Sequence, residues 1–89
     1  MNTEDQSFAQ LLYIFYSSAM VALGKLKNPA TDKIERNLEQ AKQSIDILEL
    51  IKIKTKNNLS ESQIRMLEGM LTDLRLNFVD ESNKDKVIS

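Results

Sequence analysis

No cysteine, histidine or tryptophan occurs in this chain, and glycine and proline together supply only three residues. Each absence excludes something. Without Cys there is no disulfide framework, no thiolate nucleophile and no Cys-ligated zinc. Without His the commonest general base and the commonest metal ligand are missing. Two Gly and one Pro leave little punctuation for strands and turns, which points to long helices. A further absence is local: no charged side chain lies between Gln6 and Gly24. In a chain of 89 residues such a run has to lie in a membrane, a core or a subunit interface.

What is present is 42% hydrophobic and 28% charged, the profile of a helical globular domain. The length allows one domain, and one of this size is marginal alone or stabilised by association. Net charge is −1, distributed as −2 over residues 1–24, +3 over 25–56 and −2 over 57–89. No strong field for nucleic acid results. The basic focus is Lys52, Lys54 and Lys56, placed where a closing helical turn favours cations.

The pattern predicts an acidic flexible arm over 1–6, a three-helix domain over 7–80 and a polar disordered tail over 81–89. Helices are expected at about 7–26, 32–56 and 60–80. Ser7 is the expected N-cap of the first, and Gly24 with Asn28-Pro29 ends it. Asp32 with Glu35 three residues later reads as a capping box for the second. Its stripe Ile34, Leu38, Ala41, Ile45, Leu48 alternates four and three, widened by Ile47, Leu50, Ile51 and Ile53. Asp32/Arg36 and Lys42/Asp46, four apart, suit its exposed faces. Asn57 is the expected left-handed residue of the next turn, and Ser60 with Gln63 makes a second capping box. Leu59 and Ile64 are spaced as a hydrophobic staple. The third helix carries Ile64, Leu67, Leu71, Leu74 and Phe78, with Met66 and Met70 beside them and Gly69 inside. The second and third helices thus form an antiparallel αα-hairpin.

At 100° per residue, Phe8, Leu11, Leu12, Phe15, Ala19, Leu23 and Leu26 make one broad face for the hairpin. Tyr13, Ile14, Ser17, Met20 and Val21 project elsewhere, and a two-helix hairpin cannot cover both sides. A membrane span of 19 uncharged residues is long enough at about 28 Å. However, Tyr13 and Tyr16 fall mid-segment rather than at the interfaces where belt aromatics sit. Losing this helix to lipid also leaves the hairpin a thin core. The expected fold is therefore all-α, an apolar helix on a hairpin, completed by oligomerisation through Tyr13, Ile14, Ser17, Met20 and Val21. A homodimer leads and a dimer of dimers follows.

Several short stretches of the hairpin resemble a bacterial family. They are Asn37-Leu38-x-x-Ala41, Ile45-Asp46-x-Leu48, Lys54-Thr55-Lys56-x-Asn58-Leu59-Ser60 and Leu67-x-x-x-Leu71-x-x-Leu74-Arg75. Leu23-Gly24 and Pro29 extend the likeness, which covers about Phe8 to Val79. The family is a domain of unknown function, family 1844. The resemblance implies a small helical protein and transfers no catalytic residue, cofactor or metal ligand. Asn57 stands where the family pattern usually has Gly; both accept positive φ.

Five polar positions match the motif: Asp46, Lys54, Thr55, Asn58 and Arg75. Read structurally, Thr55 and Asn58 serve the turn, and Asp46, Lys54 and Arg75 make ion pairs. Asp46 and Arg75 lie too far along their helices from the tip for one compact site with the others. Glu35, Glu39, Asp46 and Glu49 alternate with lysines as a solvated face does. A di-metal bundle site needs Glu-x-x-His pairs, and no Gly-rich phosphate loop occurs. The expectation is a non-enzymatic, cytoplasmic homo-oligomeric interaction or scaffold module without cofactor, meeting an unidentified protein partner. The alternatives are nucleic-acid association through Lys52, Lys54 and Lys56, or a membrane anchor made by the first helix. A small-molecule pocket near Met66 and Met70 is a third possibility.

Overall fold

The structure, a computed structural model, describes residues 3–86. Three helices follow one another: α1 (Thr3–Ala22), α2 (Leu38–Lys54) and α3 (Glu61–Lys86). No strand occurs among the described residues, so the fold is all-α. Polar ties give the directions. Asp5 meets Gln63 and Tyr16 meets Asp73, so α1 and α3 run parallel, while Ser18 beside Ser44 and Asn37 N–H on the Ala22 carbonyl place α2 antiparallel to α1. The three make an up-down-up layer measuring 48 × 26 × 16 Å.

The core is aliphatic. Leu12, Leu23, Leu48, Leu67, Leu71 and Leu74 are fully buried, with Ala19, Ala22, Ala41 and Ile45 among them. Where α1 meets α2, Ser18 lies beside Ser44 with their hydroxyls 3.5 Å apart. Phe8, Phe15, Tyr16, Met20, Ile51 and Phe78 pack around this centre half-buried. The inward face of α1 is therefore rotated from the expected one. Leu11 and Leu26 point to solvent, and Tyr16, Met20 and Ala22 replace them. The rotation lets the Tyr16 hydroxyl donate to the Asp73 carboxylate at 2.6 Å.

Helix ends explain the differences in boundaries. α1 begins at Thr3, not at Ser7, and so takes in most of the expected arm, the rest of which (residues 1–2) lies outside the described residues. Glu4 and Asp5 in its first turn suit the positive end of the helix dipole. Asp5 also accepts from Gln63 Nε2 at 3.1 Å. At the other end, Gly24 has φ 79°, and its N–H donates to Val21 while Lys25 N–H donates to Met20. That pair of bonds is a Schellman cap.

α2 starts at Leu38, six residues later than Asp32. Asn28-Pro29 forms a tight loop in which Asn28 N–H donates to Lys33 and Asp32 N–H to Asn28. Asp32 is held there at φ 58° and cannot open a helix. Its expected partner Arg36 turns away, and Asp32 instead lies 4.0 Å from Lys27. The cap is Asn37, in extended conformation, whose side chain accepts from Gln40 N–H at 3.1 Å. Ile34, outside the helix, is exposed rather than part of the stripe.

The hairpin turn forms as its residues require. Asn57 has φ 72°, Ser60 N–H donates to Gln63 Oε1 at 2.8 Å, and Gln63 N–H returns to Ser60 Oγ at 3.3 Å. α3 then continues to Lys86, so residues 81–86 of the expected tail are helical; residues 87–89 lie outside the described residues. Ion pairs made by that last segment account for the extension.

Candidate functional site

Three features stand out against an otherwise solvated helical surface. The first is the outward face of α1. Gln6, Gln10, Tyr13, Ile14 and Ser18 are exposed, Ser17 and Val21 half-buried, and none carries a charge. Tyr13 and Ile14 are each 61% exposed, high for side chains of their size. Of the expected interface set, Tyr13, Ile14, Ser17 and Val21 lie on this side, whereas Met20 packs against the core. Ile14, Ser17 and Val21 border a cavity of about 510 Å³ whose far wall is Asn28, Pro29 and Arg36. On the opposite flank Tyr13 shares an apolar hollow of about 410 Å³ with Met66 and Met70.

The second feature is the hairpin motif, which the structure does not gather into one place. Thr55 Oγ1 donates to the Ile51 carbonyl at 2.6 Å and Thr55 itself caps α2. Asn58 contributes its backbone N–H to Thr55 at 2.8 Å. Asp46 pairs with Lys42 four residues back, at 3.3 Å on an open surface. Arg75 reaches across the hairpin to Glu49 at 2.7 Å. Lys54 is exposed and has no carboxylate partner among the described residues. The five positions thus serve a turn, two ion pairs and a solvated lysine. Beside the tip, between α2 and α3, lies a groove of about 490 Å³ floored by Ile53, Leu59, Ile64 and Leu67.

The third feature was invisible in the periodicity: Glu81, only 6% exposed, at the far end of the molecule from the hairpin tip. Its carboxylate meets Lys25 Nζ at 2.8 Å, Lys84 Nζ at 2.6 Å and Arg36 Nη1 at 3.3 Å. These cations come from the end of α1, from α3 itself and from the extended segment before α2. Lys25 and Lys84, with Arg36 behind them, outweigh burial and hold the Glu81 carboxyl at about 2, well below the ordinary carboxylate value. Reciprocally, Glu81 first and Asp80 second raise the Lys25 ammonium, while Asp85 and Glu81 raise the Arg36 guanidinium. Arg36 also bonds Asp85 and the Glu81 carbonyl. The cluster fastens all three segments together, and its charges are matched by one another. Its carboxyl stays ionised at any ordinary pH, so it has no proton to offer as an acid. In the sequence its members are scattered charges, Lys25 and Arg36 lying more than forty residues from Glu81.

Among the described residues no group of three or more His, Cys, Asp or Glu could hold a metal ion, and no helix is long and apolar enough to cross a membrane. The family model for the domain of unknown function DUF1844 matches residues 5–81. The chain belongs to that family. The matched span takes in α1 from Asp5 onward, the hairpin and the body of α3, and ends on Glu81. Neither a curated protein nor a solved structure matches the chain.

Proposed function

We propose that this family member is a non-enzymatic homo-oligomeric interaction module whose copies pair, antiparallel, through the outward face of α1. One observation carries the reading: that face is free of charge from Gln6 to Val21 and presents Tyr13 and Ile14 largely bare to water. Burying it therefore desolvates no ion, and fully covering a side chain such as Ile14 is worth about 1.5–3 kcal/mol.

The orientation follows from what lies at the helix ends. Gln10, Ile14, Ser17 and Val21, spaced four-three-four, form a seam with its midpoint between Ile14 and Ser17. Antiparallel pairing about that midpoint keeps the acidic first turns of the two copies, with Glu4 and Asp5, at opposite ends, whereas parallel pairing sets them side by side. Twofold closure then covers both faces at once.

Light scattering coupled to gel filtration tests this. Wild type should elute as a dimer or a dimer of dimers, and Ile14→Asp as a monomer with unchanged helical circular dichroism. Ile14 touches solvent rather than core, so the substitution spares the fold. A wild type that is monomeric throughout the micromolar range refutes the proposal.

A further inference from the structure

We propose that the groove at the hairpin tip is a docking site for an acidic amphipathic helix of a partner protein. Its floor is aliphatic: Leu67 is buried, Leu59 half-buried, and Ile64 and Ile53 open to solvent, Ile53 at 60%. Its volume of about 490 Å³ is that of a ligand-sized cleft. The apolar surface does not stop at the rim. Ile47, Leu50 and Ile53, all exposed and three residues apart, continue it as a ridge over the outside of α2. Such a row runs at about 45° to the helix axis. An occupant has to fill a hollow and cover a ridge together. The i, i+3, i+4, i+7 stripe of a second helix does this; a small acid occupies the hollow alone.

Charge selects the sign of the partner. Lys52 and Lys56 line the groove. Neither has a carboxylate partner among the described residues. Of the two acids in the lining, Glu49 is committed to Arg75 at 2.7 Å, which leaves Glu68 on the α3 wall against two free ammonium groups. An acidic flank on the incoming helix meets that excess. A nucleic-acid strand fits less well, since the floor offers no aromatic ring for a base to stack on and the lining holds no arginine.

The proposal is independent of self-association through α1, which uses another face. The probe is a fluorescent synthetic peptide of about 18 residues, five helical turns, with a leucine stripe and glutamate flanks. Its twin carries lysine for every glutamate, and a labelled single-stranded oligonucleotide completes the set. Anisotropy titrations should show the acidic peptide binding saturably and at least about tenfold more tightly than the twin or the oligonucleotide. The K52E/K56E double variant and Ile53→Ser should each weaken it about tenfold or more, with helical circular dichroism unchanged, because all three side chains are exposed. Ile14→Asp should bind as wild type does. Equal affinity for the twin, tighter binding of the oligonucleotide, no saturable peptide binding, or indifference to the groove variants overturns the proposal.

Discussion

Replacing Gly69 by Ala should stabilise the protein, and replacing Gly24 by Ala should destabilise it, although the chemical change is the same methyl group. Gly69 lies inside α3, and a Cβ built there meets nothing within 4 Å. The methyl group neither clashes nor gains burial, so what remains is helix propensity, about 0.8–1 kcal/mol in favour of Ala. In a domain of this size that raises the melting temperature by roughly 4–8 °C. Gly24 also has room: the nearest atoms to an added Cβ are Arg36 Cβ and Cγ at 3.5 Å, ordinary contact. Its φ of 79° decides the sign, because a left-handed backbone costs an L-residue about 1–2 kcal/mol. The two variants should therefore differ by roughly 2–3 kcal/mol. Urea unfolding followed by helical circular dichroism, at one protein concentration, reads this as opposite midpoint shifts at constant slope. Destabilisation by Gly69→Ala would mean that another surface lies close against that face of α3, and the reading of it as open would be wrong. A neutral Gly24→Ala would remove the left-handed cap from the account of how α1 ends.

The Glu81 cluster makes a prediction in pH. Its carboxyl titrates at about 2 in the folded protein against an ordinary 4.5, so its contribution is complete above 4.5 and is lost as pH falls toward 2. Glu81→Gln should melt below wild type at neutral pH, and the gap should close across that acidic window; a gap independent of pH refutes the ionised-carboxylate account. Ser60→Ala removes the oxygen that accepts from Gln63 N–H and should cost about 1 kcal/mol. Faster amide exchange at Gln63 is the local sign to look for, and unchanged protection there argues against the capping box.

What could be read from the sequence was what local rules decide. Ser60 and Gln63 formed their reciprocal cap, and Asn57 took positive φ, because turn and cap interact over a few residues. The leucines of the hairpin stripe went inward because their spacing left no other face. The start of α2 differs from the expected one because the loop closed by Asn28 places Asp32 in the left-handed region, which leaves Asn37 to cap the helix. The orientation of α1 was misread by a fraction of a turn, since its charge-free composition marks no outside. Glu81 was beyond reach for another reason. A polar run reads as a tail until Lys25 and Arg36, more than forty residues away, arrive to pair with it.

These long-range ties bear on what α1 can do. Asp5 to Gln63, Tyr16 to Asp73 and Lys25 to Glu81 fix it against α3 near its start, its middle and just past its end. Against α2, the Ala22 carbonyl accepts from the N-cap Asn37 N–H and Ser18 lies beside Ser44. A helix held at so many points presents its outer face as a rigid surface, and association through a rigid surface costs less ordering entropy. The outer faces of the other two helices differ in kind. Beside its apolar ridge α2 exposes Glu39, Lys42, Asp46 and Lys54, and α3 exposes Arg65, Glu68, Arg75 and Asp80, so a partner lying along either has to dehydrate ions or match them one by one. α1 asks for neither between Gln6 and Val21. In the proposed pair a second copy offers the same uncharged seam, and turned end for end it keeps the two acidic first turns apart.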